Sequence, residues 1–100
     1  MTVSVVTRWI APNVAASTDI AKRSRALWMK NGAKDARLNQ IFTGPYTGQW
    51  LFVVMHADMA AYAKTSAAMA GSADMKKLQA EQVKAGGVMQ ERELLVGTDI

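Results

Sequence analysis

His56 is the only histidine in the chain, and an imidazole is the side chain best suited to give or take a proton near neutral pH. It closes the apolar run Gln49 to His56, just before Ala57-Asp58, where a helix can begin. Tyr62 follows one helical turn after Asp58, and its phenol can donate a hydrogen bond to a substrate oxygen. Arg8 and Asn39 are polar residues within apolar strand patterns, placed to hold an anionic or carbonyl group. Trp9, Trp50 and Phe52 are flat apolar walls for an aromatic ligand, and Trp28 is a further large ring. These residues make a candidate site with His56 and Tyr62 catalytic and Arg8, Trp9, Asn39, Trp50 and Phe52 binding substrate.

Each has a plainer reading. A lone imidazole at a strand end is more often packed than catalytic, and tryptophans at strand and helix positions are more often core. Arg8 suits a surface or a dimer edge, and the Tyr62 hydroxyl can be satisfied at the rim of a core. Other chemistry is excluded by residue type. With one histidine, no cysteine and scattered acids, no metal-ligand spacing exists, and neither a metal nor a cofactor is expected. Gly44-Pro45-Tyr46-Thr47-Gly48 lacks the Gly-Lys-Ser/Thr ending of a phosphate loop. No Gly-x-Ser-x-Gly nucleophile elbow occurs.

The elements that must position these groups centre on Asp35 to Asp58. The segment 44–48 is a turn, with Pro45 fixing φ and glycines at both ends. After it, Trp50, Phe52, Val54 and His56 point to one side of a strand and Leu51, Val53 and Met55 to the other, so both faces call for burial. Before it, Ala36 to Thr43 alternates less cleanly and reads as a strand nearer an edge. Thr2 to Ile10 forms the first strand, with Val3, Val5, Thr7 and Trp9 on one face. A helix is expected from Val14 to Lys30, stopped at Asn31-Gly32. A second helical region begins at Asp58, with Met59, Tyr62, Ala63, Ser66, Met69 and Ala70 sharing a face. It breaks at Gly71-Ser72, resumes to about Ala85, and stops at Gly86-Gly87. Val88 to Val96 is a last strand whose Glu91, Arg92 and Glu93 suit an exposed edge.

The order β-α-β-β-α-β predicts an α+β, ferredoxin-like fold over residues 1–100 as one domain, a four-stranded antiparallel sheet with helices on one face. Composition agrees, at 50% hydrophobic and 20% charged. No basic leader precedes a long apolar run and no stretch approaches a membrane span, so a cytoplasmic protein with no membrane partner is expected. The net charge of +4 is concentrated, with six of the twelve Lys and Arg between Lys22 and Arg37. Lys22, Arg23, Arg25 and Lys30 share one helical arc and Ile20, Ser24, Leu27 and Trp28 the other, the pattern of a packed helix with a solvated basic back. Nucleic acid is therefore not the expected partner.

Helices cover one sheet face only, and the strands are apolar on both. A second copy packed sheet to sheet would close the other face with two-fold symmetry, so a homodimer is expected. The element order, the motif TGPYTGQWLFVVMHADMAAYAK and the break at GSAD resemble the dimeric α+β barrel superfamily, particularly its small members related to antibiotic-biosynthesis-type monooxygenases. The resemblance spans nearly the whole chain but rests on turn and core residues. It implies a dimeric α+β barrel and a choice among activities: cofactor-independent oxygenation of quinones, haem degradation, lactone isomerisation, polyketide cyclisation, or none. The haem-degrading pattern does not transfer, because strand one holds no Asn and His56 precedes the second helix rather than lying within it. Two readings stay open. One is a small-molecule-binding protein acting on a hydrophobic or aromatic carbonyl compound, as a cofactor-independent monooxygenase or an isomerase or cyclase. The other is a non-catalytic homodimer with a packed interior.

Overall fold

Alternation along β1 (Val3–Ile10) decides which way the sheet faces: Val3, Val5 and Thr7 are buried, and the residues between them are half-buried. A computed structural model describes Met1 to Ile100. After β1 come α1 (Val14–Lys30), β2 (Asp35–Gln40), β3 (Trp50–His56), α2 (Met59–Ala70), α3 (Ala73–Lys84) and β4 (Val88–Val96). The four strands form one antiparallel sheet in the order β2-β3-β1-β4. This is the ferredoxin-like arrangement, with the second helix of the plan divided in two.

The register sorts the sheet into two faces. Val3 lies opposite His56, Val5 opposite Val54, Thr7 opposite Phe52 and Trp9 opposite Trp50. Ala36 and Leu38 continue those rows onto β2. This face meets the helices and holds most of the buried apolar residues, with Met69, Met75 and Leu78 buried on α2 and α3 and Ala33 in the loop after α1. The opposite face carries Leu51, Val53 and Met55 on β3 and Val6 on β1, all half-buried. Burial on both faces was expected of β3, and within one chain only the helix side achieves it. Between Arg8 and Trp9 a bulge shifts the pairing with β4, so Arg8 faces Glu91 and Trp9 faces Met89.

Local chemistry sets the helix limits. Asn13 accepts from the Ala16 amide at 3.1 Å, Asp58 from Ala61 at 2.8 Å and Ser72 from Met75 at 3.2 Å, so each helix starts on a side-chain cap. Gly32 turns the chain out of α1 at φ 112°, a left-handed value that glycine adopts without steric cost. At Gly71-Ser72 the backbone makes a fresh start, with Ser72 capping α3.

Two expectations shift in detail. Strand β2 ends at Gln40 rather than Thr43, because the link to β3 is a wider loop closed by Ile41 N–H to Gln49 O and Gly48 N–H to Ile41 O, each 2.8 Å. Phe42 consequently points into solvent at 89% exposure. The inward stripe of α2 is also rotated: Thr65 and Met69 are its buried residues, while Met59, Ala63 and Ala70 are exposed.

Candidate functional site

The sheet divides the candidate residues between its faces. Trp9, Trp50, Phe52 and His56 are on the helix side, and Tyr62 comes down onto it from α2. Arg8 and Asn39 belong to the alternate rows and lie on the uncovered side, where Asn39 is exposed. The structure therefore brings His56 and Tyr62 together and places Trp9 and Phe52 in a separate group. Arg8 and Asn39 reach neither.

His56 is fully enclosed, at 0% exposure. Its ring stands edge-on to Trp28 at 5.8 Å and to Tyr62 at 5.4 Å between centroids. Neither Nδ1 nor Nε2 has a hydrogen-bond partner. Burial among apolar groups lowers the imidazole pKa below its ordinary value, because the charged form loses its water there. The ring is thus neutral near pH 7, the form that accepts a proton. Trp28 links this end to the core formed by Ala33, Ala36 and Val54.

The second group surrounds a cleft of about 80 Å³ between α1 and the sheet, lined by Trp9, Leu38 and Phe52 below and Ile20, Ala21 and Ser24 above. Ser24 is its one polar residue. None of the 17 residues of α1 is fully buried, so the helix lies lightly over this part of the sheet. From Phe52 to His56 is four residues of extended chain, about 13 Å, so the imidazole is remote from the cleft. Sequence patterning marked Trp9 and Phe52 as walls but treated Ile20 and Ser24 only as a packed stripe. The available signal was size: Ala21 and Ser24 are small residues set above large rings.

A hollow of about 250 Å³ opens on the uncovered face, bounded by Val6, Arg8, Ile41, Tyr46, Leu51, Glu91 and Glu93. Its guanidinium is already engaged. Arg8 donates to Gln49 Oε1 at 2.7 Å and Glu91 Oε2 at 3.2 Å, and its terminal carbon lies 3.6 Å above the Tyr46 ring. Arg8 therefore holds the 41–49 loop against the sheet.

The basic back of α1 is partly neutralised within the molecule. Arg23 bridges to Asp19 and, through two bonds of 2.9 and 2.8 Å, to Glu81 on α3, while Arg25 reaches Asp35 at 3.1 Å. No three His, Asp or Glu side chains converge on a point that suits a metal ion, and no helix is long and apolar enough to cross a membrane.

No protein-family model matches the chain, and no curated protein sequence is significantly similar to it. Solved structures do match. SnoaB, a cofactor-independent oxygenase from Streptomyces nogalater, superposes with a TM-score of 0.74 at 12% identity, over 99% of this chain and 95% of its own. The chain has the SnoaB fold. Rv0793 from Mycobacterium tuberculosis matches at 0.66 and 12% identity over 100% and 98% of the two chains. A candidate antibiotic biosynthesis monooxygenase from Bordetella bronchiseptica matches at 0.63 and 10% identity over 99% and 97%. At such identities the likeness is one of architecture: the ferredoxin-like fold is common to all, and each chain brings its own side chains to it.

Proposed function

We propose that this chain binds a small hydrophobic or aromatic carbonyl compound in the cleft beneath α1, and transforms it without a cofactor in the manner of a monooxygenase. The observation that carries the reading is the lining of that cleft, where Trp9, Leu38 and Phe52 offer apolar contact and Ser24 a single hydrogen-bonding group. One polar group among aromatic walls suits a flat ring bearing one oxygen. The fold shared with a cofactor-independent oxygenase supports the reaction type at this coarse level. About 80 Å³ is smaller than the roughly 150 Å³ that holds a benzene ring. A ligand must therefore enter edge-on or lift α1, and the absence of fully buried residues on α1 keeps that movement cheap.

In this reading His56 is the base. Its neutral ring takes a proton from a CH2 beside the carbonyl and Tyr62 steadies the enolate oxygen; dioxygen is the oxidant, one of its atoms ending as a new carbonyl on that carbon and the other leaving as water. Both act on a ligand long enough to pass Val54, which separates them from the cleft on the same strand face. A homodimer is part of this reading, supported by 6356 Å² of exposed surface, roughly 800 Å² more than the about 5,500 Å² usual for a monomer of its mass.

A second reading has its own observation. No opening reaches His56, and a wholly enclosed imidazole is what a packed, non-catalytic dimer would show. A thermal-shift screen with quinones, lactones, phenols and haem separates the two. A ligand present at ten times its Kd stabilises by about 1.4 kcal/mol, a rise of roughly 6–11 °C for a chain of this size. The cleft reading expects such a rise from a flat carbonyl compound, and expects Ala21→Phe to abolish it. A response weakened by His56→Ala assigns the base. No response to any compound leaves the packed dimer.

A further inference from the structure

The cleft beneath α1 has a roof held down by polar bonds along its two flanks. At about 100° per residue, Arg23 and Arg25 leave opposite sides of the helix, with Ile20, Ala21 and Ser24 facing the cleft between them. On one flank Arg25 donates from Nε to the Ala36 carbonyl at 2.9 Å and from Nη2 to Asp35 at 3.1 Å, which fixes the helix to β2. The chain just beyond is anchored again. Trp28 packs against the core of Ala33, Ala36 and Val54, and the Asn31 carbonyl accepts from the buried Thr65 hydroxyl at 3.0 Å. On the other flank the helix is tied to α3. Ser17 donates to Gln82 Oε1 at 3.2 Å, and Arg23 sets Nη1 and Nη2 on the two Glu81 oxygens at 2.9 and 2.8 Å. Asp19 holds the Arg23 Nε at 3.1 Å, so all three nitrogens of that guanidinium are engaged.

Resting on the cleft reading above, we infer that the Arg23–Glu81 fork is a latch on the cleft: α1 pivots about its Trp28 end, and a ligand is held only where the fork has opened. The argument is one of space. The cleft of about 80 Å³ offers roughly half the volume that a benzene ring occupies, so Ile20, Ala21 and Ser24 must move outward to admit one. The Trp28 end cannot yield without disturbing the core and the Thr65 bond, which leaves the movement to the residues before it. A ring adds about 3.5 Å between the groups it separates, and with half of that already open the shift at Ala21 is about 2 Å. Over about 10 Å of helix from Trp28 to Ala21 this is a tilt of roughly 10°. It carries Arg23 outward by about 1.5 Å, enough to take the fork past hydrogen-bonding distance. The guanidinium cannot follow Glu81 without giving up Asp19. Opening is nevertheless cheap, because the two side chains are 43% and 37% exposed, and such pairs contribute little and weaken with salt. The affinity of the cleft is thus set in part by two residues outside its lining.

Calorimetric titration with 1-indanone, a flat ring system bearing one carbonyl, reads the latch. Glu81→Gln keeps the shape of the fork and removes its charge. It is expected to bind about two- to fivefold more tightly than wild type, the range that exposed pairs are worth. Raising sodium chloride from about 0.05 to about 0.5 M should tighten binding to wild type more than binding to the variant, since only the wild-type pair is there to be screened. A merely structural role for the pair predicts the opposite, weaker binding when it is lost. Because the chain has no cysteine, an Arg23→Cys/Glu81→Cys protein can be joined by a bis-maleimide of about 8–10 Å, the usual distance between packed helix axes. The staple is expected to abolish binding, and the same protein capped with N-ethylmaleimide to bind at least as well as wild type, with circular dichroism confirming each fold. A wild type that binds while Glu81→Gln binds no more tightly, or a stapled protein that still binds, overturns the latch and leaves the cleft standing. If wild type, Glu81→Gln and the capped protein all fail to bind, the cleft reading itself falls and the latch with it.

Discussion

The enclosed imidazole of His56 gives the sharpest test of how this structure is held together. Both ring nitrogens are buried without partners, and one of them must carry a hydrogen in the neutral ring. A buried donor left unpaired costs about 1–3 kcal/mol, and replacing it with an apolar group of similar size recovers that cost. His56→Met keeps a large, adaptable side chain against Trp28 and Tyr62. It should therefore stabilise the protein by about 1–2 kcal/mol at pH 7.5, where most mutations destabilise. The pH dependence has a definite sign. The folded-state pKa lies below the ordinary 6.5. Above about pH 6.5 the ring is neutral in both states and stability is at its full value. As pH falls from there toward the lowered folded pKa, the unfolded chain takes up a proton that the folded chain refuses. Wild-type stability should drop by up to about 1.4 kcal/mol per pH unit in that window, and the drop should be missing from His56→Met. Urea unfolding of both proteins between pH 5 and 7.5, at one fixed protomer concentration, measures this difference and cancels what the other groups contribute. Parallel curves for the two proteins, or a loss of stability on substitution, would refute the reasoning. Either result would mean that the ring holds a partner such as a buried water.

Other predictions follow from single contacts. Ala21→Phe should fill the cleft under α1 and leave folding intact, since the site is open at its mouth; loss of ligand-induced thermal shift with an unchanged far-UV spectrum is the expected result. Thr65→Val should cost about 1–2 kcal/mol in urea unfolding, because the buried hydroxyl donates to the Asn31 carbonyl at 3.0 Å and its loss leaves that acceptor unpaired. Gly32→Ala should destabilise as well. Its φ of 112° disfavours any Cβ, and the added atom would lie 3.2 Å from Thr65 Oγ1. The Asp35 carboxyl should titrate at about 2 by NMR, held down chiefly by its bond to Arg37 and next by Arg25. Arg37→Ala should raise that midpoint more than Arg25→Ala does.

Much of the fold was legible because the strands and helices signal by different periods. The alternation Val3, Val5, Thr7 on β1 and Phe52, Val54, His56 on β3 sorted these residues onto shared sides of their strands, and the structure turns both sides toward the helices. Turn chemistry marked boundaries too, with Asp58 capping α2 and Ser72, at the expected break, capping α3; the cap that Asn13 gives α1 emerged only from the structure. Failures came where local pattern competes with long-range geometry. Phe42 looks like a strand residue, yet the pairing ends near Ile41: Gln49 and Gly48 close the loop on Ile41, and the expected turn at Pro45, with Thr47 N–H to Gly44 O at 3.3 Å, stands beyond that closure. On α2 several alanines made the inward arc ambiguous, and Thr65 was chosen by its bond to the end of α1, which no spacing rule contains.

The candidate site was less legible for a reason of the same kind. Residue type marked His56, Tyr62, Trp9 and Phe52, but type does not say which groups share a space. Two residues four apart on one strand face point the same way and still stand about 13 Å apart. That distance separates the aromatic cleft from the imidazole. Parity along the strand, by contrast, is visible in sequence and separates Arg8 from Trp9 and Asn39 from Leu38, although the expected site grouped Arg8, Trp9 and Asn39 together. Had it been applied across strands, it would have put Arg8, Asn39, Glu91 and Glu93 together on the face opposite His56. The aromatic residues on the helix side, not the polar ones on the other face, are therefore those within reach of the proposed ligand. A substitution at Ala21 should abolish the ligand-induced thermal shift, and Arg8→Lys on the opposite face should leave it unchanged. Measuring the shift on both variants tests whether the helix-side face alone carries binding.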